Sequence, residues 1–456
     1  MRSYQDLLAI KDSKDKASFI LNVISEHKSC GAYKTALDAQ MYARQLNVTI
    51  MNYKKLLYTI TGKEVPDNFS ANHKCASNFF NRFITQEYNY LLSNGVSFEK
   101  EETKKKFGGN KFDSVLKKLG KNALVEGCSF GFFNLDHVEM FKFTEFAPLW
   151  DEEDGALKGG VRFWQLGPEK PLRATLYEID GYTEYIRRSG DGNLEILKDK
   201  RAYILNKNIG DNGEAIYEGT NYPSFPIVPL WGNSYHQSEL VGKREQIDCY
   251  DLIKSGFAND VDDASLIYWT LSNAGGMDDI DLVQFLERLK TLKGAKVDEN
   301  VDIQSHTVDV PFASREAVLD RLKLDLIDDF MALNTKDMRS GNITTVEIQA
   351  SYMPLNDKVD EFEACVCDFI DGLMALAGVE DNPVFKRNEL VNQPEVTSMI
   401  LSAGQYLDTE TVLKKLPFLS SDEVQHILEN LEKEDVARYD EQEEEETDGT
   451  IDEETE

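Results

Sequence analysis

Apolar side chains recur every three or four positions through the first 125 residues, switch to every second position, and then return to the helical period. In residues 1–60 the runs FILNVI and TALDAQMYARQL carry that period, and residues 69–125 continue it. From 123 the stretches ALVEGCSFGFFNLDHVEMFKFTEF, GGVRFWQL, RATLYEID, TEYIRR, LEILK and EAIYEG alternate between Gly, Asp and Asn turns, with SGDGN at 189–193 as a hairpin tip. They predict an antiparallel sheet. TNYPSFPIVPLWGNS follows, and its Pro223, Pro226 and Pro229 exclude a central strand or a helix interior, so it reads as an extended connector.

The second helical part begins at 237–259, with Leu240, Ile247, Tyr250, Ile253 and Phe257 at helical spacing, and a further helix is predicted at 262–272. DIDLVQFLERLKTLKGAKV reads as a short helix ending near Gly294, and VDIQSHTVDV as a strand. The run 313–333 spans roughly 31 Å as a helix. Its stripe is Val318, Leu319, Leu322, Leu326, Ile327 and Phe330, with Asp320, Asp325, Asp328 and Asp329 largely off it. TKDMRSGNITTVEIQASYMP at 335–354 breaks the pattern, and a third long helix is expected from 355. PVFKRNEL then reads as a strand and the residues after it as three short helices, one starting at Thr409 and one at Ser420 or Ser421. The tail EQEEEETDGTIDEETE has no apolar stripe and is expected to be disordered.

Charge sharpens the division. The formal net charge is -31, yet residues 1–120 hold 19 basic and 12 acidic side chains, and residues 431–456 hold 2 and 14. That leaves residues 121–430 at -26. Such an acidic middle argues against a clamp that neutralises phosphates over its whole surface. The lysines at 104, 105, 106, 111, 117 and 118 read as a solvated face beside Phe107, Phe112, Val115 and Leu116. Six scattered cysteines include one close pair, Cys365 and Cys367, whose spacing puts them on different helix faces, so a reducing compartment is expected. Neither a long apolar leader segment nor a membrane-spanning run is expected.

Catalytic signatures do not emerge. KKFGGNK and KKLGKN lack the spacing and final hydroxyl of a phosphate-binding loop, the Gly pairs lack a strand-to-helix context, and the six histidines form no HExxH. Asp260, Asp262 and Asp263, joined by DDIDL at 278–282, could hold Mg²⁺ in a nuclease, but no basic residue stands nearby in sequence to hold a leaving phosphate. The expectation is therefore no catalytic residue, no metal and no cofactor.

The order of elements is more informative: sheet, Pro-rich connector, acidic helix, small insert, second acidic helix, Gly-containing loop, third helix, helical cap. PIVPLWGNSYHQSELVGKREQIDCYDLIKSGFANDVDD, QFLERLKTLKGAKVDENVDIQ, PFASREAVLDRLKLDLIDDFMAL and VFKRNELVNQPEVTSMILSAGQYLDTETVLKKLPFLSSDEVQHILENLE follow one another in that order. Through them, over about residues 140–435, the chain resembles the portal proteins of tailed double-stranded DNA bacteriophages, of the type found in siphoviruses of Gram-positive hosts.

The resemblance implies an elongated α+β subunit. Its parts would be a wing at 1–232, a first stem helix at 233–263, a clip at 264–311, a second stem helix at 312–334, a tunnel loop at 335–354, a wing helix and return strand at 355–389, a crown at 390–435 and an acidic tail at 436–456. It also implies a ring of about twelve copies at one capsid vertex. Expected partners are the terminase large subunit, a head-completion adaptor, the major capsid and scaffold proteins, and double-stranded DNA without sequence specificity, with no membrane. The virion portal vertex is the expected location, after assembly in the host cytoplasm.

Asp251, Asp260, Asp262, Asp325, Asp328 and Asp329 are the candidates to line the channel, because carboxylates keep a passing duplex from sticking. Ile247, Tyr250, Leu322 and Leu326 are the candidates to pack between subunits, and Lys336, Arg339, Gly341 and Asn342 to form the loop. The alternative readings are a capsid-associated or scaffold-like protein without a channel, and a nuclease.

Overall fold

A computed structural model describes residues 2–59, 61–67, 70–188, 192–209, 215–264, 268–272, 284, 302–306, 312–334, 345–388, 393–416, 424, 426–428 and 430–431. The chain divides into two units, Met1–Ala332 with Asp357–Arg387, and Leu333–Asn356 with Asn388–Glu456.

The first unit opens with helices α1 (Tyr4–Leu8), α2 (Ser13–Ser29), α3 (Gly31–Tyr42) and α4 (Val48–Asn52). Ser3 Oγ accepts from Asp6 N while Asp6 accepts from Ser3 N, a reciprocal box that starts α1. The helical period then stops. Strands β1 (Leu56–Tyr58) and β2 (Glu64–Pro66) pair antiparallel across a turn containing Gly62 at φ +79°, where a helix had been the expectation. Next come α5 (Phe79–Leu92), β3 (Val96–Ser97), α6 (Glu101–Phe107) and α7 (Asn110–Glu126).

Ten strands follow: β4 (Cys128–Asn134), β5 (His137–Lys142), β6 (Phe146–Trp150), β7 (Leu157–Trp164), β8 (Leu172–Glu178), β9 (Gly181–Arg187), β10 (Glu195–Arg201), β11 (Ile204–Ile209), β12 (Ala215–Thr220) and β13 (Ile227–Trp231). One antiparallel sheet runs β10-β9-β8-β7-β6. Phe19, Ile20, Val23 and Ile24 of α2 share a core with Val161, Phe163, Ala174 and Leu176 of that sheet. β9 and β10 flank the expected SGDGN tip, whose residues 189–191 lie outside the described residues. A second sheet runs β13-β4-β5, and Phe130, Phe132, Phe141, Phe146, Tyr177 and Tyr203 fill an aromatic core around it. The Pro-rich connector is thus partly a strand, and β13 lies at the sheet edge with Pro229 opposite Phe130. An edge tolerates the missing N–H.

The chain then forms α8 (Arg244–Ala264), β14 (Tyr268–Ser272), β15 (Asp302–His306), α9 (Phe312–Asp329), α10 (Thr345–Ala377) and β16 (Val384–Phe385). The helix expected at 262–272 is corrected: α8 ends at Ala264, and Tyr268–Ser272 pairs with Asp302–His306. Its Tyr, Trp and Thr favour a pleated strand. The short helix expected before Gly294 lies outside the described residues, as do Lys336, Arg339, Gly341 and Asn342. A further correction concerns α10, which begins at Thr345 rather than 355, with Pro354 inside it. Proline removes one helical hydrogen bond without ending the helix here. Residues 345–356 of α10 belong to the second unit and 357–377 to the first.

The second unit also holds α11 (Gln393–Ala403) and α12 (Thr409–Lys415), the latter capped by Asp408, which accepts from Thr411 N at 2.9 Å. The acidic tail lies outside the described residues.

Candidate functional site

Helix α8 is entered through residues tied to the end of α7. Gly127 closes α7 at φ +92°, and a Cβ there would fall 2.9 Å from the backbone of Gln237 and Ser238, so only glycine permits the approach. Ser238 Oγ donates to Val125 O at 2.6 Å and Glu239 N to Leu124 O at 3.0 Å. The root of α8 is therefore fixed to the sheet-bearing part of its unit.

One face of α8 is a polar ladder. Asp248, Asp251, Ser255, Asn259 and Asp262 are spaced by three or four residues and so fall on one side of the helix. Asp248 accepts from the Tyr42 hydroxyl, from Thr49 Oγ1 at 2.6 Å, and pairs with Arg244 at 3.6 Å. Burial, then the bond to Asp248, push the Tyr42 phenol up to about 12. Asp251 accepts from Asn47 Nδ2 and from Ser77 N at 2.8 Å. Ser255 Oγ accepts from Cys75 N at 2.9 Å, Asn259 Oδ1 from His73 N at 2.7 Å, and Asp262 pairs with the His73 ring.

The bound amides belong to alternate residues of an extended segment, 73, 75 and 77, and their acceptors stand four residues apart on the helix. Two extended residues advance about 6.6 Å and four helical residues about 6.0 Å, so the two repeats keep step. Residues 73–77 form a strap.

Helices α8 and α9 run side by side in opposite directions. Gln246 donates to Asp329, Phe257 meets Phe312 at 5.5 Å edge to face, and Arg315 pairs with Asp260. Asp325 pairs with Arg321 at 2.8 Å within α9.

A buried ion cluster holds the root. Lys358 of α10 lies 2.6 Å from Glu87 of α5 and 2.9 Å from Glu239, while Lys243 lies 2.7 Å from Glu239. Asn233 Nδ2 donates to Glu239 at 2.8 Å. The Phe330 ring lies beneath both ammonium groups, at 4.7 Å from Lys243 and 5.7 Å from Lys358. Burial pushes Glu87 up to about 7 although Lys358 opposes it. Burial would also raise Glu239, but Lys358 and Lys243 outweigh it and hold the group at about 2.

The predicted site residues separate accordingly. Asp251 is 0% exposed and spent on the strap, so it does not line an open surface, which corrects the expectation from its acidity. Ile247 and Leu326 are also fully buried within their own unit and leave no surface for a neighbouring subunit, a second correction. Tyr250 is half-buried, edge-on to Phe79 at 4.8 Å, and Leu322 is half-buried. Asp262, Asp328 and Asp329 are exposed, and Asp260 and Asp325 half-buried. Glu87, Lys243 and Lys358 escaped sequence reasoning because the cluster joins residues far apart along the chain, and no local pattern marks a charge as buried.

Among the described residues no group of three or more His, Cys, Asp or Glu could hold a metal ion, and the described cysteines are free thiols. None of the described helices is long and apolar enough to cross a membrane.

The family described as phage portal protein, SPP1 Gp6-like, matches residues 40–448. The chain belongs to this portal family. Similar proteins include the portal protein of Clostridium phage phiCD119, 23% identical over 385 residues covering 77% of this chain and 82% of the relative. Another is the portal protein of Bacillus phage SPP1, 20% identical over 406 residues covering 81% and 78%. Two solved structures align with this portal subunit. The neck of an empty gene transfer agent particle gives TM-score 0.45 and 9% identity, covering 74% of this chain and 90% of that chain. The neck of the native particle, computed with C12 symmetry, gives TM-score 0.40 and 10% identity, covering 76% and 91%. The portal subunit is thus an α+β chain whose strap, helix pair and ion cluster lie within the matched residues.

Proposed function

We propose that about twelve copies of this portal subunit close into a ring at one capsid vertex, and that double-stranded DNA is packaged, retained and ejected through its channel. The reading is carried by the antiparallel pair α8 and α9, which keeps carboxylates at its surface even where they also pair, Asp329 with Gln246, Asp262 with His73, Asp260 with Arg315 and Asp325 with Arg321. Asp328 and Asp329 are exposed near the end of α9, with Asp262 exposed and Asp260 and Asp325 half-buried. In a ring each carboxylate is repeated, and a negative wall repels phosphate, where a basic wall would gain a counterion-release contribution at each contact and retain the duplex.

In this reading residues 264–311 form the clip that meets the terminase large subunit and then the head-completion adaptor. Residues 335–354 are the tunnel-loop region, with Lys336, Arg339, Gly341 and Asn342 as its candidate residues. The stem would be 233–263 and 312–334, the crown 390–435, and the wing 1–232 with 355–389, meeting the major capsid and scaffold proteins. The subunit acts as a conduit and the motor, a separate chain, turns over ATP. Its place is the portal vertex of the virion, after assembly in the host cytoplasm.

Charge reversal tests the acidic wall. Rings carrying Asp328→Lys and Asp329→Lys are expected to assemble at wild-type yield but to package roughly tenfold less DNA at low salt, recovering as salt rises. Packaging unchanged at every salt concentration would remove these acids from the channel.

A further inference from the structure

The β1/β2 hairpin contributes no residue to either of the two described cores of its unit. All six of its strand residues are exposed, including Leu57 at 46% and Tyr58 at 69%. Leu57 lies opposite Val65, and on the other face Leu56 lies opposite Pro66 with Tyr58 beside it, so both faces of the ribbon are largely apolar. Asp67 N donates to Lys55 O at 2.9 Å and closes its base, but a two-stranded ribbon is marginal in water without a surface to lie on. Its charge points to what that surface is. Lys54 and Lys63 are exposed and Lys55 half-buried, against Glu64 and Asp67, while residues 121–430 of the same chain carry -26. DNA would satisfy the lysines and leave Leu57 and Val65 in water, whereas an acidic protein surface takes up both.

We propose that the β1/β2 hairpin, with Lys54 and Lys55 at its base, is an inter-subunit arm that lies on a second copy of this chain. The inference rests on the ring reading above and names the segment by which one copy reaches the next. Its apolar faces are covered by the neighbour, and its lysines face that neighbour's carboxylates.

The test places a photoreactive p-benzoylphenylalanine at position 58 of the full chain, with native mass spectrometry reporting assembly before irradiation. Expected products are covalently linked dimers and higher multiples, with the cross-linked peptide mapping to a second copy. Lys54→Glu, Lys55→Glu and Lys63→Glu together are expected to lower that cross-linking roughly tenfold while leaving the helical circular dichroism of the chain unchanged. Assembled rings that cross-link only within one chain, or only to added duplex DNA, overturn the arm and leave the ring standing. Cross-linking between copies that the three reversals do not reduce overturns the charge pairing on which the choice of partner rests. A wild-type chain that forms no ring with or without its capsid and scaffold partners overturns the ring reading, and the arm with it.

Discussion

Glu87 is the residue whose chemistry departs most from what its type suggests. It faces Lys358, Glu239 and Lys243 from α5, α10 and the root of α8, and its pKa of about 7 lies above the ordinary 4.5. A raised carboxyl binds its proton more tightly in the folded state, so its contribution to stability is fully present below about 4.5 and lost as pH rises through 7. Glu239 works oppositely, its contribution being present above 4.5 and lost as pH falls through about 2. Glu87→Gln keeps the shape and removes the titration. It is expected to leave stability near pH 5 little changed and to raise it by roughly 3 kcal/mol at pH 8, measured by urea unfolding across that range. An unchanged pH profile would mean that Glu87 is ionised at no cost inside the folded subunit.

At the scale of elements, the strap and the helix pair show how similar acids do different work. Asp251→Ala leaves the Ser77 amide buried without its acceptor and Asn47 Nδ2 with only Ser77 O, and is expected to cost roughly 2–3 kcal/mol and to speed amide exchange at 73–77. Asp328→Ala, on the exposed side of α9, is expected to change stability by less than about 0.5 kcal/mol. Equal losses from the two substitutions would contradict the strap. The same contrast explains what could be read from the chain. The apolar periods marked α2, α8 and α9 and the alternating strands of the large sheet, because a repeated pattern needs only local information. Asp251 and Asp328 look alike in sequence, and only the arrival of residues 47 and 77 from far along the chain makes one of them structural. Tyr268–Ser272 was misread for a related reason: five residues carry too little of either period to decide, and pairing with Asp302–His306 decides it. The third long helix, expected from 355, instead starts at Thr345 and runs through Pro354, since a helix as long as Thr345–Ala377 can lose one hydrogen bond and continue.

At the scale of the whole molecule, an acidic chain of net charge -31 must bring many copies together against their mutual repulsion. Exposed carboxylates on α8 and α9 add to that repulsion, and the apolar, basic hairpin is a segment that offsets it. Salt would screen the repulsion over about 10 Å at 0.1 M, so assembly is expected to strengthen as ionic strength rises until the hairpin's own charge pairs are screened in turn. The central claim is the ring, and the most direct measurement is the mass and symmetry of the purified full-length protein, by native mass spectrometry together with electron-microscopic averages viewed down the particle axis. The account predicts a closed ring of about twelve copies with a central hole wide enough for a duplex about 20 Å across. A monomer or dimer that stays so when the capsid and scaffold proteins are supplied would contradict it.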